Sequence, residues 1–103
     1  MNQDKILHLD TIVHAPVRLA ILSILVTAEN ANFTFLREAT KTTDGNLNTH
    51  LTKLEQSGYI RIKKTFKGKK PQTICSISRK GAKAFELYLE QLDQIVRRQK
   101  NKT

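Results

Sequence analysis

Thr43-Asp44-Gly45-Asn46-Leu47-Asn48-Thr49-His50-Leu51-Thr52-Lys53-Leu54-Glu55-Gln56-Ser57-Gly58-Tyr59-Ile60 is the stretch on which the reading of this chain turns. Leu47, Leu51 and Leu54 recur at i, i+4 and i+7, the spacing of one face of a helix. Thr43 or Asp44 is placed to cap that helix, and Asp44 also suits the positive end of its dipole. Gly58 stands where a left-handed glycine ends a helix. At ~100° per residue, Leu51 and Leu54 fall within about 40° of Leu47 and define an inner face. Thr49, Thr52, Gln56 and Gly45 point nearly opposite, flanked by Asn46, Asn48 and Lys53. Asn, Thr and Lys are hydrogen-bonding residues of the kind that read base edges or phosphates. On spacing alone, they serve equally as an ordinary solvated face.

The period changes after Gly58. Tyr59-Ile60-Arg61-Ile62-Lys63 alternates as a strand does, Lys67-Gly68-Lys69-Lys70-Pro71 reads as a turn, and Thr73-Ile74-Cys75-Ser76-Ile77 reads as the return strand. Ser78 can cap a last helix over about 79–98, with Ala82, Phe85, Leu89, Leu92 and Val96 as its apolar stripe and Tyr88 and Ile95 on the edge. Upstream, Lys41-Thr42-Thr43 is a tight turn, preceded by a short helix that Thr34 caps and that runs to about Thr40, with Leu36 and Ala39 as core contacts. Glu29 to Asn32 is a polar break. Pro16 fits the first turn of a helix over about 16–28. Ile6, Leu7, Leu9, Ile12 and Val13 predict a short helix over 3–13. The fold class is mainly α with a small β-hairpin (α+β). It is one domain over residues 1–103, with its core at about 14–80.

Charge sharpens this outline. The 103 residues carry 18 Lys+Arg against 9 Asp+Glu, a formal net charge of +9. Residues 59–80 hold eight of those cations and no acid, which leaves the rest of the chain at only +1. Clustering of one sign costs self-repulsion unless an anion relieves it, so a polyanionic partner is the first expectation. There is no apolar run long enough for a membrane span and no start of the secretory type, which points to an intracellular protein. A single cysteine excludes an internal disulfide framework and a cysteine-rich zinc site.

Two helices joined by a tight turn form a helix-turn-helix candidate, and the basic hairpin directly after the second helix makes it more specific. From Thr43 to Ile60 the chain resembles the recognition-helix segment of winged-helix bacterial transcriptional regulators. The shared pattern is a polar start, Leu-x-x-His-Leu-x-x-Leu-Glu over residues 47–55, and then Gly-Tyr-Ile. Pro16 to Leu22 is similar to the first helix of that group, Lys69 to Thr73 to its wing tip, and Ser78 to Gly81 to the start of its final helix. The resemblance covers about residues 14–96 and is nearest to small MarR-like and ArsR-like proteins. It implies a winged helix-turn-helix homodimer on a near-palindromic operator of double-stranded DNA, with N- and C-terminal dimerisation helices. It further implies that the helix after Thr43 enters the major groove and that the hairpin around Lys67–Lys70 reaches the flanking backbone or minor groove. The metal-sensing role of ArsR relatives does not carry over, because their paired ligands are missing here.

From these readings, Gly45, Asn46, Asn48, Thr49, Thr52 and Lys53 are the expected recognition-helix contacts. Arg18, Lys64, Lys67, Lys69 and Lys70 are the expected wing and backbone contacts. Phe85, Tyr88, Leu89, Leu92, Ile95 and Val96 are the expected dimer interface, since one small domain does not need them all to close its core. His50 reads as a packed or hydrogen-bonded helix histidine, and Cys75 faces the core with Ile77. No metal site, cofactor or catalytic constellation is expected, and an effector, if one exists, is not named by the sequence. The expected location is the cytoplasm, in association with the nucleoid. A winged-helix protein-interaction module and an RNA-binding module stand as alternatives.

Overall fold

The computed structural model describes residues 8–101. Its elements run α1 (Pro16–Ala28), β1 (Asn30–Asn32), α2 (Phe33–Thr40), α3 (Asp44–Gln56), β2 (Ile60–Lys67), β3 (Lys70–Ile77) and α4 (Arg79–Lys100). The three strands form one antiparallel sheet in the order β1-β3-β2. The polar break expected at 29–32 is therefore partly a strand. Asn30, Ala31 and Asn32 pair with Ser76, Cys75 and Ile74, and the buried Ala31 packs inward.

The hairpin is longer than its apolar alternation implied. Pairing continues past Lys63 to Lys67 opposite Lys70, so only Gly68 and Lys69 remain as the turn, with Gly68 at positive φ. The helix expected over 3–13 lies in part outside the described residues. From His8 to Ala15 the chain forms turns rather than helix. Asp10 explains why: its Oδ1 accepts from the amides of Ile12 and Val13, and its Oδ2 accepts from the Tyr59 hydroxyl. This is an N-cap, which starts a helical turn and has no place inside a helix, and Ala15, extended ahead of Pro16, ends the turn after His14 N–H donates to Asp10 O.

Caps decide the helix ends. Pro16 sits at the start of α1 as expected. Asn32, not Thr34, caps α2, its side chain accepting from the Phe35 amide at 2.7 Å. Thr43 caps α3 by accepting from the Asn46 amide. At the other end of α3, Tyr59 N–H donates to Leu54 O and Gly58 N–H to Glu55 O, both at 2.9 Å, with Gly58 at φ +80°. This is the paired-bond stop that a left-handed glycine permits.

The core collects Ile21, Leu22 and Leu25 from α1, Leu36 from α2, and Leu47, Leu51 and Leu54 from α3. Each buried leucine stabilises the fold by roughly 1.5–3 kcal/mol. Ile60, Cys75, Phe85 and Tyr88 close it from the sheet and α4. Ala39, expected inside, is exposed. Phe85 and Tyr88 are only 8% and 2% exposed, so their own chain covers them and they serve its core rather than standing free for a partner. Tyr88 is further held by His14, whose Nδ1 lies 2.6 Å from the phenol oxygen.

Candidate nucleic-acid interface

α3 is anchored by its leucines and presents everything else. Leu47, Leu51 and Leu54 are buried, whereas Gly45, Asn46, Asn48, Thr49, Thr52, Lys53 and Gln56 are exposed. Asn48, Thr49, Thr52, Lys53 and Gln56 together line one open concavity. No apolar side chain is exposed on α3. Thr49 Oγ1 donates back to Gly45 O at 3.1 Å, which leaves its lone pairs facing outward. Asp44, the acid nearest the start of this face, is held by Arg37 at 2.8 Å.

The hairpin formed by β2 and β3 rises beside this helix. A second groove runs between them, with Asn48, Leu51 and Glu55 on the α3 side and Ile62, Lys64 and Thr73 on the hairpin side. Asn48 thus borders both concavities, and Lys64 faces it across the second one. Lys67, Lys69 and Lys70 sit exposed at the hairpin tip. Register puts Lys67 directly opposite Lys70, a like-charge pair that is destabilising in the free protein.

Three backbone segments meet at the base of the hairpin. Ser78 Oγ donates to Gly58 O and accepts from the Gly81 amide, and Ser78 N–H donates to Tyr59 O. A methyl group at Gly81 would overlap the Tyr59 carbonyl. The root of β2 and the start of α4 therefore touch backbone to backbone, and the Ser78 side chain ties the end of α3 to them. Lys80 lies over the Tyr59 ring, 5.8 Å from its centroid. Tyr59 is itself pushed up to about 12, first by burial and then by its hydrogen bond to Asp10.

Arg18 lies apart from the hairpin cations. Its Nε donates to Ile12 O at 2.7 Å, and its Nη1 lies 3.2 Å from His50 Nδ1. The guanidinium thus braces the 8–15 segment against the back of α3. Sequence reasoning left out of the site both Gln56, on the open face of α3, and Phe66, near the hairpin tip. At Gln56 the facing angle carried the signal. At Phe66 the signal was an aromatic inside a lysine run. Along α4, Leu89 and Val96 are 45% and 49% exposed, and from Asp93 onward only Ile95 is even half-buried.

A helix-turn-helix whose second helix stands beside a basic hairpin defines a winged helix. Residues 17–96 match the winged helix DNA-binding domain family, and the chain belongs to that family. It is 38% identical over 84 residues to the uncharacterized protein MJ0432 of Methanocaldococcus jannaschii, across 82% of this chain and 91% of that one. Its structure is similar to that of the transcriptional regulator homologue protein from Pyrococcus horikoshii OT3, with a TM-score of 0.83, 26% identity, and coverage of 92% of this chain and 93% of that one. A MarR family transcriptional regulator from Silicibacter pomeroyi shares the fold, with a TM-score of 0.64 at 14% identity over 99% of this chain and 68% of that one. No helix among the described residues is long and apolar enough to cross a membrane.

Proposed function

We propose that this chain is a sequence-specific regulator of transcription that binds double-stranded DNA as a homodimer on a near-palindromic operator. The observation that carries the reading is the position of Asn48, shared between the open face of α3 and the groove walled by Lys64. A major-groove helix and a phosphate-gripping hairpin need this adjacency, because base edges and backbone must be met together. The likeness to the transcriptional regulator homologue protein of Pyrococcus horikoshii supports the regulatory role.

In this reading Gly45, Asn46, Asn48, Thr49, Thr52 and Lys53 meet base edges or nearby phosphates. Lys64, Lys67, Lys69 and Lys70 meet the backbone, while Arg18 acts from behind α3. Leu89, Leu92, Ile95 and Val96 form the dimer contact. The chain works by occupying DNA and performs no catalysis of its own.

The test is selection of bound duplexes from a random pool, paired with sedimentation of the free protein. The expected outcome is two related half-sites about 10 base pairs apart and a dimer that Leu89→Lys with Val96→Lys splits. A pool without a shared sequence would overturn sequence specificity. Isolated half-sites bound by a monomer would overturn the dimer.

A further inference from the structure

Phe66 is 70% exposed, the most exposed large apolar side chain among the described residues. Its place in the hairpin register is informative. Ile60 pairs with Ile77, Ile62 with Cys75, Lys64 with Thr73 and Phe66 with Pro71. Residues directly opposite, and those two apart along a strand, share a sheet face. One face of the hairpin therefore runs from core at its root, through Lys64 and Thr73 in the groove beside α3, to Phe66 and Pro71 near the tip. Pro71 is exposed as well, so the two rings do not bury one another. Lys64 lies two residues down the same face, Lys67 and Lys70 form the next pair on the opposite face, Lys69 is in the turn, and no acid lies between Tyr59 and Lys80.

An apolar pair near the tip of a hairpin that carries only cations fits a polyanion whose charge sits on its rim and whose interior is apolar. The DNA minor groove is such a surface, and Phe and Pro are among the side chains that wedge between its base steps and kink the duplex. We propose that Phe66, backed by Pro71, is an apolar wedge that enters the minor groove beside the site read by α3 and unstacks a base step there. This rests on the DNA-binding reading above. It adds a source of specificity that needs no hydrogen bond to a base: flexible pyrimidine–purine steps yield to a wedge, and stiff A-tracts resist it.

The test measures affinity for two duplexes of about 30 base pairs, one built of TA steps and one of uninterrupted A-tracts, across a salt series. Wild type, Phe66→Ala, Phe66→Leu and Lys69→Ala are compared, with melting curves to verify folding. Wild type is expected to favour the TA duplex. Phe66→Ala loses about tenfold on that duplex at every salt concentration, with the salt slope unchanged and the preference abolished. Phe66→Leu, which keeps an apolar wedge, retains the preference, and Lys69→Ala changes the slope instead. Binding by Phe66→Ala within about twofold of wild type on both duplexes would overturn the wedge and leave the DNA-binding reading standing. A loss by Phe66→Ala that comes only with a changed slope would also overturn it. Failure of the wild type to bind either duplex would overturn both.

Discussion

Arg18 and His50 are in contact across the back of α3, with guanidinium Nη1 3.2 Å from imidazole Nδ1. An arginine can only donate, so Nδ1 accepts and the ring proton of neutral His50 sits on Nε2. Burial, then the charges of Arg18 and Lys53, hold His50 below its usual 6.5.

The consequence is a dependence of stability on pH with a definite sign. Below the usual value the unfolded chain takes the proton more readily than the folded one. The contribution from His50 is therefore intact above about pH 6.5 and is lost as the pH falls through the lower folded value. Thermal melts from about pH 7 to about pH 5 should show a steeper loss for wild type than for His50→Gln, which keeps an acceptor for Arg18 but does not titrate. Identical profiles for the two proteins would refute the coupling.

Lys69 and Lys70 lie at the exposed tip of an acid-free hairpin. Replacing either with alanine should weaken binding to all duplexes alike and flatten the plot of log affinity against log salt by up to about one unit per lost phosphate contact. A titration series gives the slope directly, and an unchanged slope would remove these lysines from the backbone contacts.

Asn48 and Thr49 make the opposite kind of prediction. Asn48→Ala or Thr49→Ala should cost ~1–3 kcal/mol on the selected duplex where a base contact is lost, and much less on random DNA. Paired affinity measurements on the two duplexes decide it. Equal losses on both would take these residues out of base reading.

The joint at Ser78 predicts stability rather than affinity. Ser78→Ala removes the cap of α4 and strands the Gly58 carbonyl, at a cost of about 1–2 kcal/mol. Gly81→Ala forces a methyl into the Tyr59 backbone, and overpacking of this kind costs about 1–3 kcal/mol. Denaturant melts should place both variants clearly below wild type. A wild-type midpoint for Gly81→Ala would mean that α4 can shift freely.

Cys75 is 0% exposed, and burial pushes its thiol up to about 11. A buried neutral thiol is inert. An aromatic disulfide reagent at about pH 8 should leave the folded protein unlabelled and label it at once in denaturant. Rapid labelling of the folded protein would point to an opening of the β1–β3 pair, where Cys75 faces Ala31.

The helices that frame the interface were legible because their ends carry specific chemistry. Pro16 opens α1, Thr43 caps α3 and Gly58 stops it, and three leucines at helical spacing orient the exposed face between them. What was not legible depended on partners distant in sequence. Asn30-Ala31-Asn32 is too short and polar to announce a strand, and it becomes one only by pairing with β3. Lys64 to Lys67 shows no apolar alternation, and cross-strand bonding alone extends the hairpin there. The α4 stripe was visible as a stripe, but spacing does not say what a stripe meets. Phe85 and Tyr88 meet their own core, with His14 supplied by a segment whose turns Asp10 dictates.

The meeting of Gly58, Tyr59 and Gly81 at Ser78 has a mechanical corollary. A calliper is useful only if its jaws keep their gap, and here the pin is Gly81 pressed on the Tyr59 backbone, locked by the short Ser78 side chain that bonds both Gly58 and Gly81. Helix and hairpin are thus pinned at one root, and a change in the gap between them has to break these bonds first.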